Sequence, residues 1–134
     1  RGTPQTIGAK FGTEIMLIDY QLDARDARAG DVLTLTLNWQ ASQTPSVRFK
    51  VFVHLLDANS QVVAQRDGEP VSDTRITTMW RAGETIADNY GVFIDPGTLP
   101  GEYRIEIGMY RADNGMRLRV GDADHLILGT VTVK

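Results

Sequence analysis

Two runs in this chain alternate apolar and polar residues with a period of two, and that period restricts the fold more than any other feature. In VLTLTLNWQ, Leu33, Leu35, Leu37 and Trp39 share one face while Thr34, Thr36 and Asn38 share the other. Side chains of a strand point alternately to its two faces, so this is a strand with one side buried and one side wet. YRIEIGMY repeats the pattern, with Tyr103, Ile105, Ile107 and Met109 inward and Arg104, Glu106 and Tyr110 outward. IMLIDYQL predicts a first strand near residues 14 to 22, carrying Met16, Ile18, Tyr20 and Leu22 on one side, and TVTVK closes the chain in the same way. The 3.6-residue period of a helix appears over no useful length. The expectation is an all-β domain of two packed sheets.

Turn chemistry places the hairpins. Asn114-Gly115 is the pair best suited to the positive φ angles of a type I′ turn, here between strands 102–111 and 116–120. Counting outward from a two-residue turn sets Tyr110 opposite Arg119 on the outer face, with Arg117 beside them. LLDANSQVV supplies Asp57 and Asn59 between strands 47–56 and 61–66, although Ser60 stands where a glycine would be more comfortable. LPGEY, immediately before the second alternating run, resembles the tyrosine corner of Greek-key sandwiches. Pro100 and Gly101 would shape the bend, Leu99 would plug the core, and the Tyr103 hydroxyl would tie the crossing to its own backbone. Together these features predict an immunoglobulin-like antiparallel β-sandwich with Greek-key connections and about seven to nine strands.

One strand breaks the simple alternation. In VRFKVFVHLLD, Phe49, Val51, Val53 and Leu55 fill one face while Phe52, His54 and Leu56 occupy the other. A strand solvated on one side does not do this, so something covers the second face. The expected cover is the long crossing at residues 66–84, with Trp80 or its neighbours lying over Phe52 and His54. The competing reading leaves Phe52, His54 and Trp80 as an open aromatic platform of the kind on which sugars stack.

A chain of 134 residues, 42% hydrophobic and 23% charged, is the size and composition of one globular domain that buries its own core. The opening RGTPQTIGAKFG reads as a linker from a longer chain, giving residues 1–13 as linker and 14–134 as the sandwich. A net charge of −3 with scattered basic residues offers no footprint for nucleic acid or for an anionic membrane surface. No stretch approaches the ~20 apolar residues of a spanning helix, so these residues are not expected to insert in a bilayer. The absence of cysteine excludes disulfides, thiolate metal sites and a cysteine nucleophile.

Signals for chemistry are sparse. The only histidines, His54 and His125, have no partner at a metal-ligand spacing, and His54 reads as a hydrogen-bonded packing residue. Ser72, His54 and Asp67 supply the residue types of a hydrolytic triad without a nucleophile elbow. Asp57, Asn59, Asp67, Asp73, Asp122 and Asp124 offer oxygen ligands for calcium but do not form its loop motif, and read as turn residues instead. No catalytic residues, no metal and no cofactor are expected. If the surface takes a ligand, the aromatic and guanidinium groups of Trp80, Tyr90, Tyr110, Arg117 and Arg119 would form a carbohydrate-binding face, whereas Tyr103, Leu99, Gly101, Trp39 and His54 read as structural.

The string VFVHLLD, VVAQRDGEP, MWRAGETIADNYGVFI, LPGEYRIEIGMYR and GMRLRV resembles an uncharacterised β-sandwich domain at the C-terminal, extracytoplasmic end of bacterial glycosyltransferase-like membrane proteins related to protein mannosyltransferases. The likeness runs from about Met16 to Val133 and is one of pattern. It implies a non-catalytic accessory or interaction domain outside the cytoplasm, in a membrane-anchored protein, whose partner is the rest of its own parent chain or another protein. A carbohydrate-binding module is the alternative.

Overall fold

The computed structural model describes residues 4–134 and contains nine strands and one short 3₁₀ turn at Thr77–Met79. In chain order the strands are β1 (Gln5–Phe11), β2 (Ile15–Leu22), β3 (Asp26–Ala27), β4 (Val32–Ala41), β5 (Phe49–Leu56), β6 (Val62–Gly68), β7 (Ile86–Phe93), β8 (Gly101–Arg111) and β9 (Leu126–Val133). They form a four-stranded sheet in the order β1-β2-β4-β7 and a five-stranded sheet in the order β3-β9-β8-β5-β6. All pairs are antiparallel except the short β3–β9 contact. The chain changes sheets after β2, β3, β4, β6 and β7, which makes an immunoglobulin-like Greek-key sandwich.

The alternating runs face the interior as their period requires. Leu33, Leu35, Leu37 and Trp39 from β4 meet Tyr103, Ile105, Ile107 and Met109 from β8 in one continuous core. Phe11 packs edge-on to Trp39 with ring centroids 5.0 Å apart. The interior is filled. A void of about 10 Å³ among Leu22, Leu35, Val53 and Ile105 holds no more than one water.

Three local departures from the sequence reading have physical causes. First, the β2–β4 register shifts between Leu17 and Asp19, so Ile15 and Leu17 point inward, the phase flips, and Tyr20 and Leu22 point inward after it. Met16 and Ile18 are therefore only partly buried, because a bulge exchanges the two faces of a strand. Second, residues 5–11, expected within the linker, form strand β1 on the edge of the four-stranded sheet. Third, the hairpin at Asn114-Gly115 is not a two-residue type I′ turn, since Gly115 but not Asn114 has positive φ. The Gly115 amide donates to the Arg111 carbonyl and the Arg111 amide to Met116, enclosing four residues. Tyr110 consequently pairs with Arg117 rather than Arg119.

The tyrosine corner forms through the backbone. The Tyr103 hydroxyl donates to the Leu99 carbonyl at 2.6 Å, and Gly101 sits at φ +152, a conformation that disfavours a side chain. Leu99 does not plug the core; its side chain is 74% exposed, because the corner uses only its carbonyl. In the β5–β6 turn Ser60 takes the left-handed conformation at φ 61, the position marked in the sequence as better suited to glycine. The Asp57 carboxylate compensates by accepting from the Asn59 and Gln61 amides.

The crossing from β6 to β7 begins with Val71, Ser72 and Asp73, three consecutive non-glycine residues in left-handed space. Such residues persist only where their surroundings fix them. Here the Asp73 carboxylate accepts from the Glu69 amide, and the Val71 amide donates to Asp88 inside the sandwich. Glu69 is itself held by a two-pronged contact with the Arg48 guanidinium. The crossing ends in Trp80, which lies in the core and donates its indole N–H to the Arg75 carbonyl at 2.8 Å. Trp80 therefore does not cover Phe52 and His54 as expected; it joins the core instead, where its indole N–H is satisfied by the Arg75 carbonyl and its own carbonyl by the Thr44 hydroxyl.

Candidate functional site

The second face of β5 is covered from its own sheet and from the segment before β9. Phe52 lies opposite Gly108 of β8, and a Cβ on that glycine would stand 2.2 Å from the phenyl ring. The ring thus occupies space that any other residue would fill. Tyr110 stacks beside it at a centroid distance of 6.3 Å, His54 at 4.7 Å, and the Arg117 guanidinium lies 4.3 Å above its centre. Arg117 reaches this position because the four-residue hairpin sets it directly opposite Tyr110.

A polar network surrounds this aromatic cluster. Nδ1 of His54 is 2.9 Å from Glu106, and its Nε2 is 4.0 Å from Asp67. Asp67 accepts the Tyr110 hydroxyl at 3.0 Å. Partial burial first, and this contact second, push the Tyr110 phenol up to about 12. On the far side of Glu106, His125 approaches it at 3.9 Å and Asp124 at 3.0 Å. Asp124 also meets Arg117 at 3.5 Å. The contact with His125, then the charge of Arg117, hold its carboxyl below the usual aspartate value. Both histidines of the chain thus converge on one carboxylate.

A groove of about 370 Å³ opens beside the network. Leu56, Val62 and Ile127 give it apolar surface, while Arg104, Arg117, Glu106, both histidines and Ser60 add polar groups. Arg104 donates to the Ser60 hydroxyl at 2.7 Å and reaches the Asp57 carbonyl at 3.4 Å.

The sequence-predicted ligand residues do not share one surface. Trp80 and Tyr90 are 1% and 6% exposed and belong to the interior. Tyr110 and Arg117 meet over Phe52, as above. Arg119 donates to the Asp122 carbonyl at 2.6 Å in the following turn. Trp39 is fully buried, and His54 is a packed, hydrogen-bonded strand residue. Among the described residues neither His54 nitrogen bonds a serine hydroxyl, since both face carboxylates. The described residues contain no group of three or more acidic or histidine side chains placed to hold a metal ion.

The interior holds one carboxylate that the sequence reading missed. Asp88 is fully buried, with its oxygens accepting from the Trp39 indole at 3.2 Å, the Tyr90 hydroxyl at 2.7 Å and the Val71 amide at 2.7 Å. Burial raises its pKa against the opposing effect of those donors, and burial with the Asp88 charge raises that of Tyr90. The available signal was the alternation of IADNYGVF, which puts Ile86, Asp88, Tyr90 and Val92 on one face. Likewise Gly108, a glycine inside an alternating strand, marked the place where Phe52 lies.

A scan against family profiles matches none, and a search of curated proteins gives no match. Among solved structures, the chain is similar to the crystal structure of a Niemann-Pick type C2 protein from Japanese carpenter ant, with a TM-score of 0.57 and 8% identity over 98% of this chain and 99% of that one. At that identity the likeness is one of fold: both chains are sandwiches of the same architecture along nearly their whole length.

Proposed function

We propose that this chain is a non-catalytic accessory domain, displayed outside the cytoplasm as part of a larger membrane-associated protein, and that it engages its parent chain or a protein partner through its surface. The observation that carries this reading is the filled interior, where packing between the two sheets leaves only a void of about 10 Å³ and no substrate-sized cavity. The titratable groups support it too, because His54, Glu106, Asp67 and Asp88 are engaged with one another or with backbone. The burial of Trp80 and Tyr90 removes two of the aromatic side chains on which the carbohydrate-binding alternative depends. The sequence resemblance supplies the membrane context.

The test uses the full-length protein in intact cells. Protease added from outside should cleave within or next to this domain without lysis, and the protein should sediment with membranes. Recovery of full-length protein in the cytosol, protected from external protease, refutes the proposal.

A further inference from the structure

The groove over β5 and β8 carries an imbalance that the packing leaves unresolved. Arg104 is half-buried beside Leu56 and Thr130, its cross-strand neighbours, and it donates to the Ser60 hydroxyl and the Asp57 carbonyl. Among the described residues it has no carboxylate within ion-pair distance, unlike Arg48, Arg75, Arg111 and Arg117. Arg117, the groove's second guanidinium, shares its only carboxylate, Asp124, with His125. The apolar surface of Leu56, Val62 and Ile127 lies between polar groups, the arrangement of a small-molecule site.

Opposing an anion at neutral pH are Glu106 and, at the margins, Asp67 and Asp124. The charged and titratable groups around the two imidazoles are Asp67 from β6, Glu106, Arg104 and Tyr110 from β8, and Asp124 and Arg117 from the segment before β9. With both imidazoles neutral, two guanidinium groups face three carboxylates. With both protonated, four cations face the same three carboxylates, and the sign of the local charge reverses.

We propose that this groove is a binding site for a phosphate group carried on a small organic body, held by Arg104, Arg117 and the Ser60 hydroxyl, with affinity that rises as His54 and His125 take up protons. Guanidinium forks on separate segments, β8 and the stretch before β9, together with a hydroxyl suit the several oxygens of a tetrahedral anion. The apolar surface takes the attached carbon skeleton. The inference goes beyond the accessory-domain reading and does not rest on it, since a groove of this kind serves a domain on any chain.

Sulfate is the first probe, because its charge does not change between pH 7.5 and 5.5. In NMR titrations of the whole chain, sulfate should shift the Arg104 Nε–H and His125 ring signals at pH 5.5, with affinity at least about tenfold weaker at pH 7.5. Arg104→Met should weaken binding about tenfold or more, and His125→Ala should flatten the pH dependence. If Arg104→Met does not fold, the wild-type shifts at Arg104 and His125 decide. Glycerol 3-phosphate and vesicles of phosphatidic acid in phosphatidylcholine separate the two sources of the group: binding of the soluble ester identifies a free metabolite, and binding to vesicles alone, lost in Arg104→Met, identifies a lipid headgroup. Absence of sulfate binding at both pH values, or binding that Arg104→Met leaves unchanged, overturns the proposal.

Discussion

The outer end of the Phe52 ring lies over Gly108, so closely that a single methyl group on the glycine would sit 2.2 Å from it. The outer face of the five-stranded sheet is built on this contact, because the stacked Tyr110, His54 and Arg117 all lean on the same phenyl group. Gly108→Ala should therefore destabilise the domain by about 1–3 kcal/mol through overpacking. Urea denaturation should show the loss. Pairing it with Phe52→Val should recover part of that loss; additive effects of the two changes would show that the contact is not what the glycine serves.

At the corner before β8 the hydroxyl of Tyr103 matters and the side chain of Leu99 does not. Tyr103→Phe leaves the Leu99 carbonyl without its donor and should cost about 1 kcal/mol. Leu99→Ala, at a side chain 74% exposed, should stay within about 0.5 kcal/mol. Chemical denaturation of both variants tests the contrast, and a larger loss for Leu99→Ala would restore it to the core.

Asp88 gives stability a pH dependence of unusual sign for a carboxylate. Burial raises its folded pKa above the ordinary 3.8, so the folded chain holds that proton more tightly than the unfolded chain. The contribution is fully present below pH 3.8 and is lost as pH rises through the folded value. In acid the protonated Asp88 carboxyl has one O–H to place among these donors, whereas the amide of Asp88→Asn has two N–H groups, so the variant should be less stable there by about 1–3 kcal/mol. The gap between wild type and variant should narrow from pH 3.5 to 7 in matched urea titrations. A gap that widens over that interval would mean that the three donors outweigh burial.

Both tryptophans belong to the interior, Trp39 at 0% and Trp80 at 1% exposure. Their fluorescence should be blue-shifted and barely quenched by acrylamide until the chain unfolds. Ready quenching in the native state would put Trp80 back on the surface, where a sugar-binding face needs it.

What could be read from the sequence is what repeats within one strand. The faces of β4 and β8 follow from alternation alone, and Ser60 announced its left-handed conformation by standing where a turn wants glycine. The doubly apolar strand was equally visible in Phe52, His54 and Leu56. What lay over it was not, because Trp80 and Arg117 have comparable apolar reach and only the tertiary arrangement decides between them. The bulge at Ile18 also escaped, since one inserted residue leaves composition unchanged while exchanging two faces. The hairpin around Asn114-Gly115 failed for a related reason: four residues close it as well as two, and the choice moved Arg117 into the place expected for Arg119. Asp88 and Arg104 stood in plain alternation, yet a charge on an inward position, or a cation without its counter-ion, shows only when neighbouring strands are in register.

The left-handed stretch at Val71–Asp73 is at the surface by position but not by mechanics. Its first amide is tethered to a carboxylate at the centre of the sandwich, so the segment cannot lift away without withdrawing a hydrogen-bond donor from the interior. Deuterium should enter the Val71 amide on the timescale of global opening rather than that of a fluctuating loop. A connection that looks peripheral is in this way as slow to breathe as the strands it joins.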